Sequence, residues 1–205
     1  MSKKKHPLAQ KNDYSILSKY KGLDAVLAMD SINVISVDPA TDNLGLRLEV
    51  RTRERTLTVA MTKTNLGRGT SVYENLTELL DSYHESNLCA HVLLVERQMV
   101  FNRDQVVRIS QHCISYYMAK YPHVIVIELN SKLKTRILGA PKELTKPQRK
   151  KWSVMKTREL YERNDDSVGR RILREIESRG EKLDDVSDTT TQAQAFFELV
   201  GYVKY

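Results

Sequence analysis

The stretch from Ser31 to Val50 constrains this chain most, because it opens with a strand that cannot continue. Val34, Ile35 and Val37 form a β-branched apolar run that ends on a carboxylate, Asp38, with Pro39 directly after it. Proline supplies no N–H to a sheet ladder, so the strand stops there. Asp38 therefore stands at the open end of a sheet, where α/β proteins assemble their sites. Leu44, Leu46, Leu48 and Val50 then alternate with Gly45, Arg47 and Glu49, which predicts a second strand with one face buried and one wet. Leu57, Val59 and Met61 repeat the alternation, and the three strands form an antiparallel meander.

Further along, the run from His91 to Glu96 is apolar throughout and again ends on a carboxylate. Continuous apolar runs suit strands covered on both faces. Val124 to Leu129 is another such run, and the residues from Asn102 to Lys120 between the two carry Val106, Ile109, Ile114 and Tyr117 at helical spacing. Strand, helix, strand implies parallel neighbours. A helix is also expected from Thr70 to about Ser86. The fold class is thus α/β: a mixed five-stranded sheet, meander first and parallel strands after, flanked by helices.

Charge sets the partner. The 205 residues carry a formal net charge of +7, and a polyanion such as nucleic acid is the first candidate. No run is long enough to span a membrane and the N-terminus lacks an apolar signal segment, so an intracellular protein is expected. The two cysteines, Cys89 and Cys113, have no short spacing and read as reduced thiols. Residues 1–29 are expected to form a basic arm and residues 30–205 the folded domain, with a charged, solvated insertion at about 164–180. A basic loop from Ser131 to Lys151 leads into a helix near Trp152.

Against this positive background stands a set of carboxylates. Asp38 and Glu96 end strands, and Asp184, Asp185 and Asp188 open the last helix, where the helix dipole favours anions. Asp185 and Asp188 are three apart and share a helix face. Singly, each has a commonplace explanation as a turn, cap or solubility residue. Together they follow an order that would bring four acidic groups to one place, where their repulsion requires cations. Oxygen-only sites select Mg²⁺ or Mn²⁺, and a pair of such ions hydrolyses phosphodiesters.

With those residues in view, the chain resembles the RuvC-like Holliday junction resolvases of the ribonuclease H superfamily, in particular the mitochondrial and poxvirus type. Asp38 with Asn43 five positions on and Gly45 seven on looks like the first motif, Glu96 with Gln98 like the second, and Lys182 to Asp188 like the third. The resemblance spans Ile32 to Val200. It implies a ribonuclease H-like fold in which Asp38, Glu96, Asp185 and Asp188 bind two Mg²⁺ ions, with Mn²⁺ able to substitute, and Lys182 assists catalysis. It further implies a homodimer that cuts a four-way DNA junction symmetrically. Asn43, Gln98, Met99, Phe101, Lys132, Lys134, Lys150 and Lys151 are the candidate DNA-contacting residues. Three alternatives stand beside it: a related nuclease acting on RNA–DNA hybrids or flaps, a nucleotide-binding protein of the actin-like ATPase group, and an architectural DNA binder. With eight glycines and no second glycine-rich segment the ATPase is disfavoured, and a DNA binder gains nothing from converging carboxylates.

Overall fold

The computed structural model describes residues 10, 12–18, 22–98 and 104–203. Its sheet has six strands in the order β1-β6-β5-β2-β3-β4. Strands β2 (Ser31–Asp38), β3 (Leu44–Thr52) and β4 (Thr56–Thr64) form the meander. β5 (Val92–Glu96) runs parallel to β2, and β6 (Ile125–Leu129) parallel to β5. Met99 and Phe101 lie outside the described residues.

The sixth strand is β1 (Tyr14–Ile16), antiparallel to β6, and it corrects the expected count of five. It lies within the stretch read as an arm, where three residues are too few to show an alternation. α1 (Leu23–Ala28) follows it, burying Leu23 and Val26.

Both faces of the sheet are covered, which is why β2 and β5 are apolar on both sides. One face packs against α2 (Ser71–Ser82) and α4 (Asp104–Lys120), using Ile35, Val37, Leu46, Leu76, Ile109 and Tyr117. The helix expected from Thr70 to Ser86 is broken at Tyr83, beyond which α3 (His84–Leu88) forms a separate turn. The other face packs against α5 (Leu133–Ile137) and α8 (Asp184–Leu199) through Val34, Val92, Ile127, Phe196 and Phe197.

α6 (Lys146–Arg163) begins six positions before Trp152. The backbone N–H of Thr145 donates to Gln148 Oε1 at 2.8 Å, and Pro147 occupies the first turn, where its missing N–H costs nothing.

Two expectations about charge are corrected by packing. The side of β3 read as wet is buried: Arg47, Glu49 and Arg51 are each no more than 2% exposed. They lie beneath α6 and α8 and satisfy one another, with Arg51 donating from Nε to Glu49 Oε1 at 2.8 Å and from Nη1 to Gln194 Oε1 at 2.9 Å. The charged insertion is likewise no solvated appendage. Its helix α7 (Ser167–Ser178) buries Leu173 and Ile176 in a cluster with Met61 and Tyr161. Asp166 at its start accepts from the N–H and the hydroxyl of Thr58 on β4, at 2.9 and 2.6 Å, and from Gly169 N–H. Asn164 accepts from Thr56 N–H at 2.8 Å. The α6–α7 turn thereby covers the edge strand β4, whose open N–H groups would otherwise invite pairing with another chain.

Asp166→Ala would leave the N–H and hydroxyl of Thr58 without their buried acceptor and remove the anion 3.8 Å from Arg47, and a loss of about 3 kcal/mol is expected. For a domain of this size that lowers Tm by roughly 6–12 °C. Thermal unfolding by circular dichroism reads it, and an unchanged Tm would show that α7 is not anchored through this carboxylate.

Candidate metal centre and nucleic-acid groove

A row of positions crosses the sheet at the C-terminal end of β2. Asp38 is paired with Gly45 on β3, and Gly45 with Lys63 on β4. Glu96 ends β5 beside it, since Val37 pairs with Val95. The glycine is required by what lies above it. A Cβ built on Gly45 would sit 2.7 Å from the Asp185 carbonyl oxygen and 3.2 Å from Thr189 Cγ2. The gap lets the start of α8 settle directly on the sheet, and so brings Asp185 and Asp188 down to Asp38 and Glu96.

The four carboxylates sense one another. Burial raises the Asp38 carboxyl well above its ordinary range, and the charges of Glu96, Asp188 and Asp185 raise it further, with Lys134 opposing. Glu96 is raised by burial and by Asp188, again with Lys134 opposing. Asp185 is raised by burial and by Asp184. Its buried Oδ2 has no hydrogen-bond partner among the described residues, and the nearest cation is Lys63, 3.6 Å away.

Lys134, projecting from α5, lies between two of the acids. Its Nζ is 2.8 Å from Glu96 Oε2 and 2.8 Å from Asp188 Oδ2. Burial alone would depress this ammonium, but Glu96, Asp188 and Asp38 together hold it above the ordinary lysine range, so it is charged. One cation bridging two acids marks a place where positive charge is stabilised. No group of three or more ligating side chains closes around a common point among the described residues. The donor set nevertheless fits a hard divalent cation: all oxygen, strongly anionic, partly buried, and with one carboxylate oxygen left unsatisfied.

The remaining candidates fall in several places. Asn43 is half-buried in the turn between β2 and β3, and Gln98 follows β5 with its amide 3.4 Å from the Glu96 carbonyl. Lys132 and Lys150 line a groove of about 810 Å³ that opens from Glu96 and Asp188, together with Lys142, Lys146 and Arg149. Lys150 also pairs with Asp184. Lys151 is exposed and does not line this groove. Lys182 is exposed as well, and it is its carbonyl that takes part, accepting from Lys63 Nζ at 3.1 Å.

Sequence reasoning missed Lys63 and Ser153. Lys63 pairs with Gly45 only because a bulge opposite Leu48 and Glu49 shifts the β3–β4 register, which the Leu57, Val59, Met61 alternation does not show. Ser153, whose hydroxyl donates to Asp188 Oδ1 at 2.6 Å, left no local signal.

The fold is similar to that of solved RuvC-like Holliday junction resolvases. A fowlpox virus resolvase solved with substrate Holliday junction DNA superposes with a TM-score of 0.59 at 17% identity, covering 82% of this chain and 97% of that one. The Thermus thermophilus RuvC structure gives 0.54 at 14% identity, over 84% and 98 to 99% of the two chains in its free and junction-bound forms, the latter at 0.53 and 13%. No protein-family model matches. By sequence, 79 residues are 40% identical to the uncharacterized protein 97L of Invertebrate iridescent virus 3, a stretch that spans 38% of each chain. No helix among the described residues is long and apolar enough to cross a membrane.

The raised carboxyls carry a stability consequence. An acid with a folded-state pKa above its unfolded value destabilises the fold where it is ionised, and the penalty vanishes below the unfolded pKa. Asp38→Asn should therefore raise the Tm of the metal-free protein at pH 7, by about 2–4 °C per kcal/mol of relieved repulsion. The gain should shrink as pH falls towards the ordinary carboxylate range. A Tm unchanged or lowered at pH 7 would contradict this electrostatic account.

Proposed function

We propose that this protein is a divalent-metal-dependent endonuclease that resolves four-way DNA junctions by paired, symmetric phosphodiester hydrolysis. The observation that carries the reading is the meeting of Asp38, Glu96, Asp185 and Asp188 at one end of the sheet, at the mouth of a groove rich in lysine and arginine. In this reading Asp38, Glu96, Asp185 and Asp188 hold two Mg²⁺ ions, or Mn²⁺ in their place. When bound, such ions lower the pKa of a water and neutralise charge developing on the phosphate.

The chain's own residues do the rest. Cations along the groove bind successive phosphates and aim one at the acidic cluster, with Lys132, Lys146, Arg149 and Lys150 best placed. Lys134, between Glu96 and Asp188 and lining the same groove, would hold a positive charge beside a phosphate bound at the acidic cluster. Lys63 balances Asp185 from the far side. Cutting two strands symmetrically needs two sites related by a twofold axis, so the working form is a homodimer. Branched DNA of this kind arises in recombination and repair, which agrees with an intracellular protein.

The test is incubation with Mg²⁺ and three labelled substrates: a four-way junction, a linear duplex and an RNA–DNA hybrid. Paired nicks on the junction are expected. Asp38→Asn, Glu96→Gln, Asp185→Asn and Asp188→Asn should each abolish cleavage and leave junction binding intact or tighter. Cutting confined to the hybrid would replace the substrate, and binding with no cutting in Mg²⁺ or Mn²⁺ would overturn the nuclease reading.

The groove makes a second prediction. Lys132→Ala with Lys146→Ala should weaken junction binding and make the slope of log K against log salt less negative by about 2. Lys151→Ala should leave both unchanged. Equal effects from both variants would show that DNA does not follow this groove.

A further inference from the structure

The acidic end of α8 is held from the side by α6. Lys150, Ser153 and Thr157 recur at helical spacing along α6 and each meets α8: Lys150 pairs with Asp184, Ser153 donates to Asp188, and Thr157 donates to the Ser187 carbonyl at 3.2 Å. Of the three, Ser153 touches a proposed metal ligand without belonging to the groove's cations or to the carboxylates. It is 2% exposed, on a helix that is anchored independently of it.

We infer that Ser153 is a positioning residue that fixes which oxygen of Asp188 is offered to a divalent cation. A serine hydroxyl has one proton. Donated to Asp188 Oδ1 at 2.6 Å, it is not available to Thr191, whose hydroxyl lies 3.2 Å away and donates to the Ser187 carbonyl at 3.0 Å. Asp188 Oδ1 is thereby engaged on the α6 side, and Oδ2 alone faces the cation shared with Glu96, the position that Lys134 takes at 2.8 Å. Without the hydroxyl, the carboxylate is free to turn about its last torsion. It can then present either oxygen, or swing from Glu96, and the paired donors that stabilise one cation are lost for part of the time. Outer partners that orient a ligating carboxylate are typically worth 10–100-fold in metal affinity.

This inference rests on the metal-dependent nuclease reading, and the experiment separates the two. Mn²⁺ binding is measured directly by electron paramagnetic resonance on the 205-residue chain in the absence of DNA. Ser153→Ala is expected to raise the Mn²⁺ dissociation constant about 10–100-fold. Ser153→Thr, which keeps the hydroxyl, is expected to restore most of the affinity. Introduced on top of Asp188→Asn, Ser153→Ala should add little, because the group it orients is already altered. A general packing defect would persist in both backgrounds, and thermal unfolding of each variant identifies it. In cleavage assays the Mg²⁺ requirement should rise by a similar factor while the rate at saturating Mg²⁺ changes less.

Wild-type affinity in folded Ser153→Ala overturns the positioning role and leaves the nuclease reading standing. An equal loss in the Asp188→Asn background does the same. If Ser153→Ala does not fold, Ser153→Cys, which keeps the size but has only a weak donor, takes its place with the same expectation. A wild-type protein that binds no Mn²⁺ overturns both readings.

Discussion

Four carboxylates held near one another repel, and the rest of this structure is arranged to hold them there. Each is fixed by a different element: Asp38 by a strand that proline terminates, Glu96 by the parallel strand beside it, Asp185 and Asp188 by the first turns of α8. Gly45 is the hinge of the arrangement, because only a residue without Cβ lets the α8 backbone approach β3 so closely. The repulsion is offset by three lysines from three different elements, Lys63 from β4, Lys134 from α5 and Lys150 from α6. Those cations make the acidic cluster tolerable, and under the proposed function they would also supply positive charge beside a phosphate.

The same face of the sheet carries a second polar layer. Arg47, Glu49 and Arg51 on β3 meet Thr58, Asp166 and Gln194, with the Arg47 guanidinium 5.5 Å from the Tyr161 ring centre and that of Arg51 4.6 Å from the ring centre of Phe197. Buried ion pairs are weak contributors to net stability but costly to break. Here they lock α6 and α7 onto β3 and β4. α6 carries Ser153 and borders the groove, so this layer sets the position of one wall of the site from a distance.

Much of this was legible in the sequence, and the reasons for the failures are specific. Runs such as Val34 to Asp38 and Val92 to Glu96 announce themselves because hydrophobicity, β-branching and an abrupt acidic stop agree. The fold class and the succession from β2 to β6 followed from them, while β1, α1, α3 and α5 did not. β3 misled because Arg47, Glu49 and Arg51 alternate with leucines as a solvent-facing side would. Only tertiary structure reveals that their partners arrive from Asp166 and Gln194, more than a hundred positions away. α7 misled for the same reason: its charge is conspicuous, while Leu173 and Ile176 are a thin apolar stripe. Within the site, adjacent lysines 150 and 151 look equivalent in the sequence, yet on a helix they point about 100° apart, and one lines the groove while the other does not. Ser153 could not have been singled out, since a lone serine in a helix says nothing until the residue opposite it is known.

The central claim is that the acidic end of the sheet is a divalent-cation site, and a crystal grown with Mn²⁺ tests it most directly. The account predicts anomalous scattering among Asp38, Glu96, Asp185 and Asp188, with the Lys134 ammonium moved off at least one of its two carboxylates. Lys134 still bridging Glu96 and Asp188, with no metal signal among the four acids at millimolar Mn²⁺, would contradict it.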